Sequence, residues 1–190
     1  MANKDSAFGV KPIGKIGQNA DNNGLSEYDI AASATAIYFQ DAVGMAATGT
    51  ITVAAAGGVL LGSLNGVFFT DATTSKPTFA NHLNASNTAT DIKGFVTDDP
   101  YQRYEVQSNN TGASAQTDVG NVANIEYTAG SSPDFVSKVE LDDSDLATSD
   151  GQLKVIGVSK DPENNDLTSA NVNFVVTINE HILGNNVAGI

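Results

Sequence analysis

The chain has 190 residues, no cysteine and no tryptophan, with 22 acidic against 9 basic side chains and a formal net charge of −13. That length holds one domain of ordinary size, or one domain with an extended arm. Without cysteine there are no disulfides and no thiolate-bound metals, and an acidic chain is poorly suited to nucleic acid, whose phosphates are held by Lys and Arg.

Ala, Gly, Asn, Thr, Ser, Asp and Val dominate, a mixture that favours strands and turns over long helices and predicts an all-β fold. No apolar run approaches the roughly 20 residues of a membrane-crossing helix. The first residues lack the apolar core of a secretion signal, so the expectation is a soluble protein with no membrane partner and no export route.

Residues 1–24 place Phe8, Pro12, Ile13 and Ile16 among glycines and asparagines, with no helical or alternating period. Lys4, Lys11 and Lys15 face only Asp5 over residues 1–15, a formal +2 that leaves −15 for the remainder. A solvated tail has little use for these apolar residues. The reading is an extended N-terminal arm over 1–24 that docks on a partner subunit, followed by a β-rich body over 25–190. Leu25 to Thr35 fits a strand or a short helical turn. Ala36 to Met45 reads as a strand with a break at Asp41, and Ile51 to Ala54 as another between turns at Thr48–Thr50 and Ala55–Gly58. Val59 to Phe69 is apolar on both faces and holds Gly62 and Gly66, the pattern of a buried strand with a bulge at a glycine.

Pro77 to Leu83 and Ile92 to Thr97 are further strands. Asp98-Asp99-Pro100 then makes a turn, because Asp side chains bond the backbone two residues on and Pro drives Asp99 out of the helical region. In the strand that follows, alternation puts Gln102, Tyr104 and Val106 on one face and Tyr101, Arg103, Glu105 and Gln107 on the other, with Tyr104 and Val106 inward. Ser108 to Ala115 suits an exposed hairpin tip, and Asp118 to Thr128 fits a strand or a helical turn. Phe135 to Leu141, Leu153 to Val158 and Asn171 to Ile182 alternate as strands, the last with Val172, Phe174, Val176 and Ile178 on one side. Short strands at this spacing predict an antiparallel β-barrel or a sandwich-like body.

No catalytic constellation emerges. The two histidines, His82 and His181, lie in or beside predicted strands and read as ordinary surface or strand-end residues. Gly112-Ala113-Ser114-Ala115-Gln116 lacks the closing glycine of a nucleophile elbow. Asp142, Asp143, Asp145 and Asp150, or Asp161, Glu163 and Asp166, could offer oxygens to Ca²⁺, but neither run follows the calcium-loop pattern, and solvated turns are the plainer reading. Gly57-Gly58 lacks the Lys and Ser/Thr of a phosphate loop. The expectation is a non-enzyme without cofactor or metal.

Ala-Phe-Gly-Val-Lys-Pro-Ile near the start, Thr-Gly-Thr-Ile-Thr-Val-Ala-Ala-Ala-Gly-Gly-Val-Leu-Leu-Gly at 48–62, and Asp99-Pro100-Tyr101 leading to Tyr104-Glu105-Val106-Gln107 resemble small structural proteins of marine tailed bacteriophages. So do Leu153 to Gly157, Asp161-Pro162-Glu163-Asn164 and Val176 to Leu183, while the stretch from Gln40 to Gly44 departs from the pattern. Such proteins look like capsid decoration, or cement, proteins. The resemblance implies a β-barrel-like body on the outer capsid surface of the virion, usually a homotrimer, bound to the major capsid protein across capsomer junctions. On this reading Lys4, Phe8, Lys11, Pro12, Ile13, Lys15 and Ile16 form the capsid-binding arm. A tail, neck or fibre-associated phage protein is the alternative, and a carbohydrate-binding β-domain using exposed tyrosines is a third class.

Overall fold

Alternating apolar residues and closely spaced turns yield thirteen short strands in the described part of the chain. The computed structural model describes residues 2–17, 24–109, 114–147 and 149–184. In chain order the strands are β1 (Lys11–Lys15), β2 (Ser26–Asp29), β3 (Ala42–Met45), β4 (Ile51–Val53), β5 (Gly62–Thr70), β6 (Pro77–Ala80) and β7 (Lys93–Thr97). They continue as β8 (Gln102–Gln107), β9 (Val122–Ala123), β10 (Ile125–Glu126), β11 (Glu140–Leu141), β12 (Leu153–Val158) and β13 (Asn173–Ile178). Every ladder is antiparallel.

Two sheets carry the fold. One has the order β1-β8-β13-β12-β9, and the other runs β2-β7-β5-β3-β4 with β6 also on β5; β10 and β11 form a separate hairpin. The Asp98-Asp99-Pro100 turn carries the chain from β7 of the second sheet to β8 of the first. Each sheet has its own apolar cluster. Tyr104, Val106, Leu153, Val155, Phe174 and Val176 centre the first, and Leu61, Leu64, Val67, Val96, Ile37 and Leu83 centre the second. Strand β3 joins them, since Ala42 faces the first cluster and Val43 the second. The body is sandwich-like and open: an isolated bridge, Ile30 to Ile51, approaches closure of the second sheet, but among the described residues no ladder completes a barrel.

The bulge expected in the long apolar strand lies between Leu64 and Gly66 of β5, where the register with β7 slips. Gly62, where β5 begins, is required for another reason: a Cβ would overlap the Thr97 carbonyl. Strand β12 and the inward set Val172, Phe174, Val176 and Ile178 agree with the alternation.

Other stretches differ from expectation for identifiable reasons. Only the second half of Ala36 to Met45 is a strand. Gln40 adopts φ 66, and buried Asp41 accepts the Tyr38 amide at 2.7 Å, which turns the chain before β3. Phe135 to Leu141 pairs as a strand only at β11, with a lone bridge from Val136 to Phe39 before it, and Phe135 itself sits at φ 52. Ser108 is buried rather than at an exposed tip, and residues 110–113 lie outside the described part. Gln107, placed by alternation on the wet face, is also buried. The leader covers it.

Of the arm expected over residues 1–24, residues 2–16 lie on the body rather than standing clear of it, and residues 1 and 18–23 lie outside the described part. Lys11–Lys15 forms β1, an edge strand paired with β8 through a register slip between Pro12 and Gly14. Val10 enters the first core. Gly9 crosses the body at φ 80, so close that a Cβ would overlap the Gln40 carbonyl and Ser137. The glycines that argued against a local element are what permit this contact.

Candidate docking surface

The leader is anchored mainly through its backbone. Gln107 Nε2 donates to the Lys4 carbonyl at 3.0 Å while its Oε1 accepts the Ser6 amide at 2.8 Å, and Asn164 Nδ2 donates to the same carbonyl at 2.8 Å. The Asn3 side-chain amide donates to the Asp166 and Ala170 carbonyls at 2.9 and 2.8 Å. Apart from those of Asn3, these bonds are indifferent to the leader's side chains, and among the residues after Val10, Ile13 and Ile16 are left exposed.

Strand β1 is one wall of a groove of about 840 Å³, and the residues opening β2 are the other, with the Asp98–Tyr101 turn as floor. Ile13, Leu25, Tyr101 and Leu183 line it, and Ile16 and Ile156 line an adjoining hollow that shares Lys15. These are six of the eight large apolar side chains exposed on the described surface. Tyr101 is 65% exposed and Ile16 49%, unusual values for contiguous apolar residues.

Polar groups fix the groove's shape. Lys15 pairs with Asp99 at 2.8 Å, and the Tyr28 hydroxyl donates to Asp98 at 2.6 Å. Burial, then the Asp98 hydrogen bond and charge, push the Tyr28 phenol up to about 12, so it stays a donor at any ordinary pH. Gln102 ties the floor to β1 by donating to the Gly14 carbonyl at 2.7 Å. The result is an apolar groove in which Lys15 and Asp99 are paired with each other and Asp98 is held by Tyr28.

The seven leader residues singled out from sequence separate into two groups. Pro12, Ile13 and Lys15 line the groove and Ile16 the hollow. Lys4, Phe8 and Lys11 do not line either: Lys4 is exposed beyond Gln107, and Lys11 reaches Glu105 at 3.6 Å and lies 5.9 Å from the centre of the Phe8 ring. Sequence reasoning missed Leu25, Tyr101, Ile156 and Leu183. Ile156 carried a signal, a bulky apolar residue on the polar face of an alternating strand.

Elsewhere the suspected chemistry resolves into structure. His82 stacks on Phe135 with centroids 3.9 Å apart and planes within 1°. His181 is buried rather than a surface residue; its Nδ1 accepts the Leu183 amide at 3.0 Å, and burial lowers its pKa. Asp142, Asp161 and Asp166 accept amides two residues onward at 3.0, 3.0 and 2.9 Å, so their loops are Asx turns. Among the described residues no group of three or more His, Asp or Glu is placed to hold a metal. A second aromatic surface, Phe68, Phe79 and Phe95, lies on the six-stranded sheet, with Phe79 4.8 and 6.5 Å from its neighbours.

The fold thus defines the chain as an antiparallel, two-sheet β protein with one concentrated apolar seam. No family model matches it, and neither a curated protein nor a solved structure shows significant similarity to it.

Proposed function

We propose that this chain is a non-enzymatic virion structural protein, a decoration or cement protein that binds the outer capsid surface and reinforces contacts between capsomers. The observation that supports this most is the seam: Ile13, Leu25, Tyr101 and Leu183 gathered where edge strands β1 and β2 of the two sheets meet, with Ile16 and Ile156 in the adjoining hollow. A surface of this kind binds by burial, at roughly 25 cal/mol per Å² of apolar area removed from water. The major capsid protein is the partner, with Pro12, Ile13, Lys15 and Ile16 at the contact. Self-association as a homotrimer multiplies weak identical contacts. A subunit that binds only the assembled lattice stabilises that lattice by mass action. The net charge of −13 keeps free subunits from associating nonspecifically.

The test is occupancy on purified particles. Hundreds of copies per particle support the shell reading, a handful move the protein to the tail or neck, and absence overturns the reading. Ile13→Asp combined with Ile16→Asp should abolish binding to shells while leaving the body folded.

A further inference from the structure

The leader's first half is held differently from its second. β1 has a sheet ladder, whereas residues 2–9 have a few hydrogen bonds and lie over acidic groups. A cleft of about 360 Å³ is bounded by Asp5, Ser6 and Ala7 of the leader on one side and by Thr128, Asp134, Val136, Lys138 and Glu140 on the other.

Glu140 is the focus of this cleft. It stands directly opposite Glu126 in the β10–β11 pair, an unfavourable placement for two carboxylates. Asp5 faces it from the leader, Asp143 from the turn after β11, and Asp134 and exposed Lys138 share the cleft. Ionising Glu140 here requires a charge that is poorly hydrated and set among others of its own sign.

We infer that residues 2–9 form a proton-controlled latch: with Glu140 neutral the leader stays on the body, and with Glu140 ionised it lifts, hydrating the carboxylate and offering Lys4 and Phe8 to a partner. This rests on the docking role proposed above for the leader. Burial first, and then Asp5, Glu126 and Asp143, raise the Glu140 pKa to about 7 in the docked state. Lifting the leader takes away Asp5 and rehydrates the carboxylate while Glu126 and Asp143 remain, so the pKa falls part of the way toward the roughly 4.3 of a free glutamate. The docked form therefore holds the proton through the interval between these values, and release becomes more favourable as pH rises across it, then levels off. Asp41, next to the Gln40 carbonyl that accepts the Val10 amide, is raised to about 6, chiefly by burial, and adds the same trend at lower pH.

Amide hydrogen exchange on the full chain tests this without any capsid. The Ser6 amide, bonded to Gln107, is the reporter. Its protection factor, already corrected for intrinsic exchange, should fall about fivefold or more between roughly pH 6 and 7.5, mostly through Glu140 and to a smaller extent through Asp41 near the lower end. Glu140→Gln should remove most of that fall, and Asp5→Asn, on an exposed leader residue, should shrink it. Flat protection in the unmodified chain, or an undiminished fall in both variants, overturns the latch. Shell occupancy decides the docking role separately, so either idea can fail alone.

Discussion

The two apolar clusters are built from the sequence in different ways. The cluster under the six-stranded sheet draws its buried residues from Ile30 to Val96 alone. The cluster under the five-stranded sheet needs Val10 from the leader, Ala42, Ala54 and Leu60 from the other sheet's strands and connections, and everything from Tyr104 to Ile178. The first can close from one continuous stretch, whereas the second closes only when distant segments arrive. Loop-closure entropy makes such non-local assembly the slower and more dependent step.

Buried amides reinforce the dependent half. Gln107 bonds both the leader and Asn173, the latter at 3.1 Å. Gln152 donates to the carbonyls of Ala55 at 2.9 Å and Gly58 at 2.5 Å and accepts the Ile125 amide at 3.1 Å. Gln107 ties residues 4–6 to the β8–β13 ladder it belongs to, Gln152 joins segments that no ladder pairs, and each would be costly to leave half-paired.

Core truncation should break the comparison most forcibly. Phe174→Ala should cost about 3–5 kcal/mol and Leu64→Ala about 2–5. Exchange measured by amide should show the asymmetry: Phe174→Ala opens Val176 and Val106 while Val96 stays protected, and Leu64→Ala opens both halves. Equal loss in both halves for both variants would mean a single cooperative core.

Gln107→Ala comes next, at about 1–3 kcal/mol, since it strands the Ser6 amide and Lys4 carbonyl. Denaturant midpoints measure the cost, and loss of Ser6 protection with Val96 unchanged would assign it to the leader. A smaller effect follows from pH. Asp41 and Glu140 have raised pKa values, about 6 and about 7, so they favour the folded state most below their unfolded values and lose that contribution as pH rises to neutrality. Asp71, Asp91 and Asp166 are lowered by their own turn and cross-strand hydrogen bonds and work oppositely, their contribution vanishing on acidification below the ordinary carboxylate range. Thermal melting should therefore be higher at pH 5 than at pH 8 and fall again in strong acid. Least of all, Ile13→Asp should change stability by no more than about 0.5 kcal/mol, because the residue is 43% exposed, while weakening shell binding.

Much of this was legible in the chain itself. Alternation identified β8, β12 and β13 and their inward faces, glycine placement foretold the bulge in β5, and Asp98-Asp99-Pro100 marked a turn that proves to be the crossing between sheets. The leader's apolar residues read as docking on a partner subunit; in this chain Val10 enters the body's own core and β1 pairs with β8, while Ile13 and Ile16 stay exposed.

Tertiary structure alone decided where those contacts go. Gln107 is wet or buried according to whether residues 2–9 lie over it, and alternation sees only its own strand. Leu25, Tyr101 and Leu183 are unremarkable one by one; they line one groove with Ile13 because edge strands β1 and β2 lie side by side, and Ile156 joins Ile16 in the next hollow. Periodicity reports which way a side chain points. What it points at depends on segments a hundred residues or more away, and the pairing that brings them together is fixed by the closing of the whole core.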